Sequence, residues 1–170
     1  HKTILHYAHK PNFANSLSND FVNAIYQDKN KTIWIGTAGG LNKLLSEDTG
    51  SFVSFRNDDK NPSSLSFDRV QTIFEDRLGI LWIGTDGGGL NCFDPHDPTR
   101  NKFVSYQQDP MDLNSLSENR VNTLLEDKSG TLWIGTGGGL SKFDRKPKKF
   151  SHFKTEPNDP NSLNVSEVWC

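Results

Sequence analysis

Short apolar runs recur along this chain, and stretches rich in Asp, Asn, Ser, Gly and Pro separate them about every ten residues. In the best-formed part, Val121–Glu126 is the first run. A polar turn, Asp127-Lys128-Ser129-Gly130, leads to a second run, Thr131–Thr136. A glycine cluster, Gly137–Gly139, opens a third, Leu140–Phe143, and Phe150–Phe153 is the fourth. Each run is too short for a helix, and Gly and Asx turns interrupt every candidate helix. The pattern predicts four short strands, the first two joined by a tight turn in which Gly, or Asn30 in the first unit, takes positive φ.

The same order occurs three times. Thr32-Ile-Trp-Ile-Gly-Thr37 returns as Ile80–Thr85 and Thr131–Thr136, with Trp34, Trp82 and Trp133 spaced 48 and 51 residues apart. A second marker keeps step: Asn15-Ser-Leu-Ser18, Ser63–Ser66, Asn114–Ser117 and Asn161–Asn164. The Trp-Ile-Gly-Thr run is apolar at successive positions, so both of its faces must be buried. A strand held between two neighbouring sheets has that environment, with Leu132 and Ile134 toward one neighbour and Trp133 and Gly135 toward the other. The glycine lets the adjacent sheet approach closely. Four strands per ~48 residues is the pattern of a β-propeller blade. The expected fold is all-β, a partial propeller of four-stranded antiparallel blades.

Register extends to both ends. Ile4–Tyr7 stands where the outer strand of a preceding blade belongs, and Val165–Cys170 where the first strand of a following one belongs. The expected division is 1–14, outer strand of a preceding blade; 15–62, 63–113 and 114–160, whole blades; 161–170, the start of the next. Closed propellers take about 4–8 blades, so an arc of a larger ring is expected, as is self-association through its exposed blade faces. A chain opening on His1 rather than Met reads as a piece of a longer one.

The string Asn-Ser-Leu-Ser…Val-x-x-Ile/Leu…Asp-x-x-Gly-x-Leu-Trp-Ile-Gly-Thr-x-Gly-Gly-Leu-x-x-Phe-Asp, followed almost without departure over residues 114–144, resembles the two-component regulator propeller repeat. Blade one departs from it at Asn30-Lys31, in place of the turn glycine, and at Leu45; blade two has one extra residue in its glycine turn. The resemblance implies the periplasmic sensor region of a bacterial hybrid histidine kinase or related regulator, tied to the membrane only through the parent chain. It also implies a small extracytoplasmic ligand such as an oligosaccharide. No transmitter element lies in the chain, so signalling output, histidine kinase or diguanylate cyclase, belongs elsewhere in the parent.

Composition narrows the alternatives. The 170 residues are 33% hydrophobic and 24% charged, with a formal net charge of −2. No window nears the ~20 apolar residues of a membrane-spanning helix, and no secretion signal is present. Interspersed charge argues against a nucleic-acid-binding face. Two cysteines exclude a disulfide scaffold and a structural zinc site. Four Trp, eleven Phe and three Tyr at regular intervals argue against disorder.

Candidate chemistry is sparse. The glycine clusters lack the Lys-Ser/Thr of a phosphate loop and read as turns. His6 and His9 lack a third ligand, and Asp94-Pro-His-Asp97 and Asn57-Asp-Asp59 lack a compact calcium loop. No cofactor, metal site or catalytic residue is expected. Serines recurring in every blade read as turn formers rather than nucleophiles. Cys92 aligns with Lys43 and Lys142 and is expected to be partly exposed. Trp34, Trp82 and Trp133 are expected in the core, and Trp169, aligned with Asn23, Gln71 and Asn122, nearer the surface.

A ligand is expected on the face shared by the Ser-Leu-Ser loops and glycine turns, at the mouth of the central channel. The inner-strand starts there bring Asp20, Asp68 and Asn119, then Phe21, Arg69 and Arg120, then Asn23, Gln71 and Asn122. The expected ligand-binding set is Asn23, Asp68, Arg69, Gln71, Asn119, Arg120 and Asn122, whose acids, amides and arginines suit a polyhydroxylated molecule. The competing readings are a protein-interaction or dimerisation scaffold without small-molecule ligand and, third, a propeller lyase or hydrolase.

Overall fold

A computed structural model describes residues 4–96 and 102–169. Twelve strands are found there, with no helix among the described residues. They are β1 (Val22–Gln27), β2 (Ile33–Thr37), β3 (Gly40–Ser46), β4 (Ser51–Phe55), β5 (Val70–Glu75), β6 (Leu81–Thr85), β7 (Leu90–Phe93), β8 (Val104–Tyr106), β9 (Val121–Glu126), β10 (Leu132–Thr136), β11 (Gly139–Asp144) and β12 (Lys149–Phe153). They form three four-stranded sheets in simple up-and-down order, β1-β2-β3-β4, β5-β6-β7-β8 and β9-β10-β11-β12, antiparallel throughout. The first strand β5 lies against both β1 and β9, while β2 faces β5 and β6 faces β9 across the blade boundaries. This is a partial β-propeller.

The core lies between blades. Trp34 and Leu41 of the first sheet enclose one cluster with Leu65, Val70, Ile73, Leu81, Ile83, Phe93 and Phe103. Trp82 and Leu90 repeat the arrangement against Leu116, Val121, Leu132, Ile134, Phe143 and Phe150. Leu81 and Ile83 thus face back and Trp82 forward, as the two-sided apolar run requires. Trp34 and Trp82 are buried, whereas Trp133, which no complete blade covers, is partly exposed.

Each of these three tryptophans is also tied to the turn before it. Asp28 accepts the Trp34 indole N–H at 2.9 Å, Asp76 that of Trp82 at 2.8 Å and Asp127 that of Trp133 at 2.9 Å. The other carboxylate oxygen accepts two backbone N–H groups of the turn, from Asn30 and Thr32 at Asp28, and the corresponding pairs at Asp76 and Asp127. Positive φ falls on Gly79 and Gly130 and, in the first blade, on Lys31 (φ 66) rather than on Asn30. The fourth turn position must be left-handed whichever residue stands there.

The end segments keep the register without forming strands. Tyr7 packs edge-on against Phe52 at 5.7 Å, as Phe55 packs on Phe103 and Tyr106 on Phe150, both at 5.8 Å. At the other end, the Val168 N–H donates to the Thr136 carbonyl at 3.0 Å. Residues 4–10 and 165–169 have no strand assignment, and none of the three sheets takes either segment in as a further strand.

Candidate functional site

The inner ends of the first strands gather the residues that sequence reasoning selected, but they do not all do the same work. Asn23, Gln71 and Asn122 occupy the place where the ladder register slips between the first and second strands. A residue left out of the ladder is free to aim its side chain elsewhere. Asn23 Nδ2 donates to the Val70 carbonyl at 2.8 Å and Asn122 Nδ2 to the Val168 carbonyl at 3.1 Å. Asn23 thus ties the first blade to the second, and Asn122 ties the third to the C-terminal segment. Gln71 stands half-buried at the corresponding place.

Asp68 and Asn119 are loop caps. Asp68 Oδ1 accepts the Asn57 N–H at 2.7 Å and Asn119 Oδ1 the Gln108 N–H at 2.8 Å, as Asp20 accepts the His9 N–H at 2.6 Å. The arginines form a row across blades. Arg69 Nε lies 3.5 Å from Asp86 Oδ2, and Arg120 Nε 3.6 Å from Asp86 Oδ1. Arg120 Nη1 is 3.1 Å from Glu167 Oε1, with its guanidinium 4.9 Å from the Trp169 ring. Arg69 lies over the Phe21 ring at 5.8 Å. Trp169 is more than half exposed, near the surface as expected.

Beside this row an open cleft of about 800 Å³ lies between the first and second blades. Asp68 and Arg69 line it together with Phe67 and Asp86, two residues that sequence reasoning passed over. The available signal was their departure from the repeat: Phe67 stands where the sister blades have Asn19 and Glu118, and Asp86 where they have Ala38 and Gly137.

The serines are structural. Ser18 Oγ pairs with Thr37 Oγ1 at 2.8 Å and Ser117 Oγ with Thr136 Oγ1 at 2.9 Å, while Ser66 Oγ donates to the Gly88 carbonyl at 2.7 Å. His9 Nδ1 lies 2.7 Å from the Leu17 carbonyl oxygen. Asp94 accepts the His96 N–H at 3.0 Å, forming a local turn; Asp97 and Cys170 lie outside the described residues. Cys92 is only partly exposed, packed in the second core cluster beside Tyr106. Burial pushes its thiol up to about 11. Burial and the Cys92 neighbour likewise push the Tyr106 hydroxyl up to about 12.

At the opposite ends of the strands the blades are joined by charge. Arg145 Nη1 meets the buried Asp76 Oδ2 at 2.6 Å and Nη2 meets Glu126 Oε1 at 3.0 Å, with the guanidinium 5.4 Å from the Trp82 ring. Burial raises the Asp76 carboxyl, but the hydrogen bonds from Trp82, Arg145 and Ile80 and the Arg145 charge outweigh it, leaving Asp76 below its ordinary value.

Residues 16–39, 64–87 and 115–138 each match the two component regulator propeller model, and each match spans a Ser-Leu loop, a first strand and a Trp-Ile-Gly-Thr strand. These three stretches are two component regulator propeller repeats. These repeats superpose on the extracellular domain of a hybrid two component system from B. thetaiotaomicron with a TM-score of 0.76 and 27% identity, over 91% of this chain and 21% of that one. The extracellular domain of a one component system from the same organism shares the fold, with a TM-score of 0.68 and 24% identity over 85% of this chain and 20% of that one. So does PorZ, a surface component of the type-IX secretion system of Porphyromonas gingivalis, at 0.57 and 23% over 75% and 18%. The propeller repeats thus span about a fifth of the length of these solved structures. No curated protein matches the chain significantly.

Proposed function

We propose that this chain is a sensing arc of the extracytoplasmic propeller of a bacterial two component regulator. It binds a small soluble molecule, such as an oligosaccharide, and leaves it chemically unchanged. The observation that carries the reading is the row of Arg69, Asp86, Arg120 and Glu167 at the inner strand ends beside an open cleft. Forked guanidinium donors and carboxylate acceptors suit a molecule that presents hydroxyl groups in pairs. The likeness to the extracellular domain of a hybrid two component system supports the periplasmic setting. In this reading Asn23 and Asn122 hold the blades in register, and Arg69, Gln71 and Arg120 meet the ligand.

The test is a thermal-shift screen of the chain against a broad oligosaccharide library, with chromatography of each sugar before and after incubation. Sensing predicts a saturable rise in Tm for a defined subset and unchanged sugar. A shortened sugar, or no shift across the library, would refute it.

A second reading, self-association, has its own support. Val22, Ile25 and Phe21 are exposed on the first blade, although the equivalent Val70 and Ile73 are buried under a neighbouring sheet. Light scattering across a concentration series tests it: a mass that stays monomeric throughout rules this reading out.

A further inference from the structure

The second blade differs from its sisters at three points that converge in space. Phe67 replaces Asn19 and Glu118, Asp86 replaces Ala38 and Gly137, and the glycine turn 87–89 is one residue longer. The longer turn and the phenylalanine are fitted to each other. A β-carbon on Gly88 would stand 2.5 Å from Phe67 Cβ, and one on Gly87, which has φ +129, would stand 3.5 Å from the ring. Gly88 leaves no room for a side chain over the Phe67 Cβ, as Gly39 leaves little over the Asn19 Cβ at 2.9 Å, and the positive φ of Gly87 favours glycine beside the ring. The ring stays 42% exposed in the cleft between the first two blades.

The cleft surrounds that ring with polar groups of unequal sign. Asp58, Asp59, Asp68 and Asp86 line it against Lys60 and Arg69. Asp68 is engaged by the Asn57 N–H, and Asp86 stands between Arg69 at 3.5 Å and Arg120 at 3.6 Å, with no closer partner to either oxygen among the described residues. The Arg69 side chain is about half exposed, so it can still donate. An excess of carboxylates repels anions. An apolar ring face beside acceptors and a forked donor suits a ring with one C–H face and hydroxyls at its edge.

We propose that the Phe67 cleft is a binding site for an uncharged polyhydroxylated ring. The ring stacks on Phe67, donates hydroxyl protons to Asp86 and Asp59, and accepts from the Arg69 guanidinium. This deepens the sensing reading and rests on it, since it names the place and the charge class of the ligand.

Titration calorimetry of the full chain with maltotetraose, xylotetraose and the anionic tetragalacturonate tests the proposal. At least one neutral tetrasaccharide binds, and tetragalacturonate binds at least tenfold more weakly. Phe67→Ala weakens the neutral sugar at least tenfold, whereas Phe67→Tyr stays within threefold and shows that the loop still folds. Phe13→Ala, which removes an exposed aromatic elsewhere, leaves the affinity unchanged. Binding insensitive to Phe67→Ala overturns the cleft and leaves the sensing reading standing. Equal or tighter binding of tetragalacturonate overturns the uncharged class. Absence of heat from both neutral sugars overturns the cleft even where the wider thermal screen finds another ligand.

Discussion

Val70 fills the space that a side chain on Gly36 would need: its Cγ1 lies 2.5 Å from the position of a β-carbon on that glycine. Val121 does the same to Gly84 at 2.5 Å, and Val168 to Gly135 at 2.9 Å. The glycine after each Trp-Ile is a socket for the first-strand valine of the next blade. This is how one sheet comes close enough to bury the other's indole.

Gly84→Ala therefore overpacks the second interface. It should lower stability by ~1–3 kcal/mol, read as a fall in urea midpoint. Val121→Ala made alongside it should recover part of the loss, because the new methyl then meets a smaller neighbour. Strict additivity of the two substitutions in a double-mutant cycle would disprove the socket.

Asp76 satisfies the Trp82 indole, two turn N–H groups and Arg145 together. Asp76→Ala leaves buried donors and the Arg145 charge without their acceptor, a loss on the order of 3 kcal/mol or more. Arg145→Met should cost less, since the indole and backbone bonds to Asp76 survive it. Chemical denaturation of both variants gives the comparison, and equal losses would contradict it.

The same carboxyl sets the acid limit. Its folded value lies below the usual carboxylate value of about 3.9. The stability it contributes is complete above that unfolded value and drains as pH falls through the folded one. Asp127, held low by hydrogen bonds from Ser129, Trp133 and Thr131, acts in the same direction. Tm should be level near neutrality and fall below about pH 4; Asp76→Asn should flatten that fall while lowering Tm at neutral pH.

Cys92 should resist alkylation. With its thiol pushed up to about 11 by burial, almost none is thiolate at pH 8, and the thiolate is the nucleophile. Iodoacetamide should label it slowly in the folded chain and rapidly in urea, as followed by mass spectrometry. Fast labelling at Cys92 itself, assigned by peptide mapping so that Cys170 is scored separately, would show that the thiol is not packed as described.

Lys31 holds φ 66 where the other two blades place Gly79 and Gly130. A left-handed residue with a β-carbon carries a cost of roughly 1–2 kcal/mol, partly offset by the flexibility glycine adds to the unfolded chain. Lys31→Gly should raise stability by about 0.5–1 kcal/mol. A lower Tm would mean that the lysine side chain contributes more than its backbone costs.

Much of the fold could be read from residue order, for a physical reason. The second blade, flanked on both sides, buries its second strand on both faces, and the same unbroken apolar Trp-Ile-Gly-Thr signal is repeated in its two sisters. The candidate site was only half legible. Arg69 and Arg120 were found at the inner strand ends, but Asn23 and Asn122 are absorbed by bonds to Val70 and Val168. Those partners are 47 and 46 residues away. Phe67 and Asp86 carry no repeat signal, because they stand where the second blade departs from its sisters.

The amino-acid order alone determined the blade count within this stretch, the strand order and the glycine sockets, because these follow from local periodicity and from the size of one side chain. Only the tertiary structure decided which polar groups are consumed by folding and which remain available. It joins Arg145 to Asp76 across 69 positions and brings Phe67, Arg69 and Asp86 to one cleft. Such pairings depend on how neighbouring sheets pack around the axis, and no local pattern encodes that geometry.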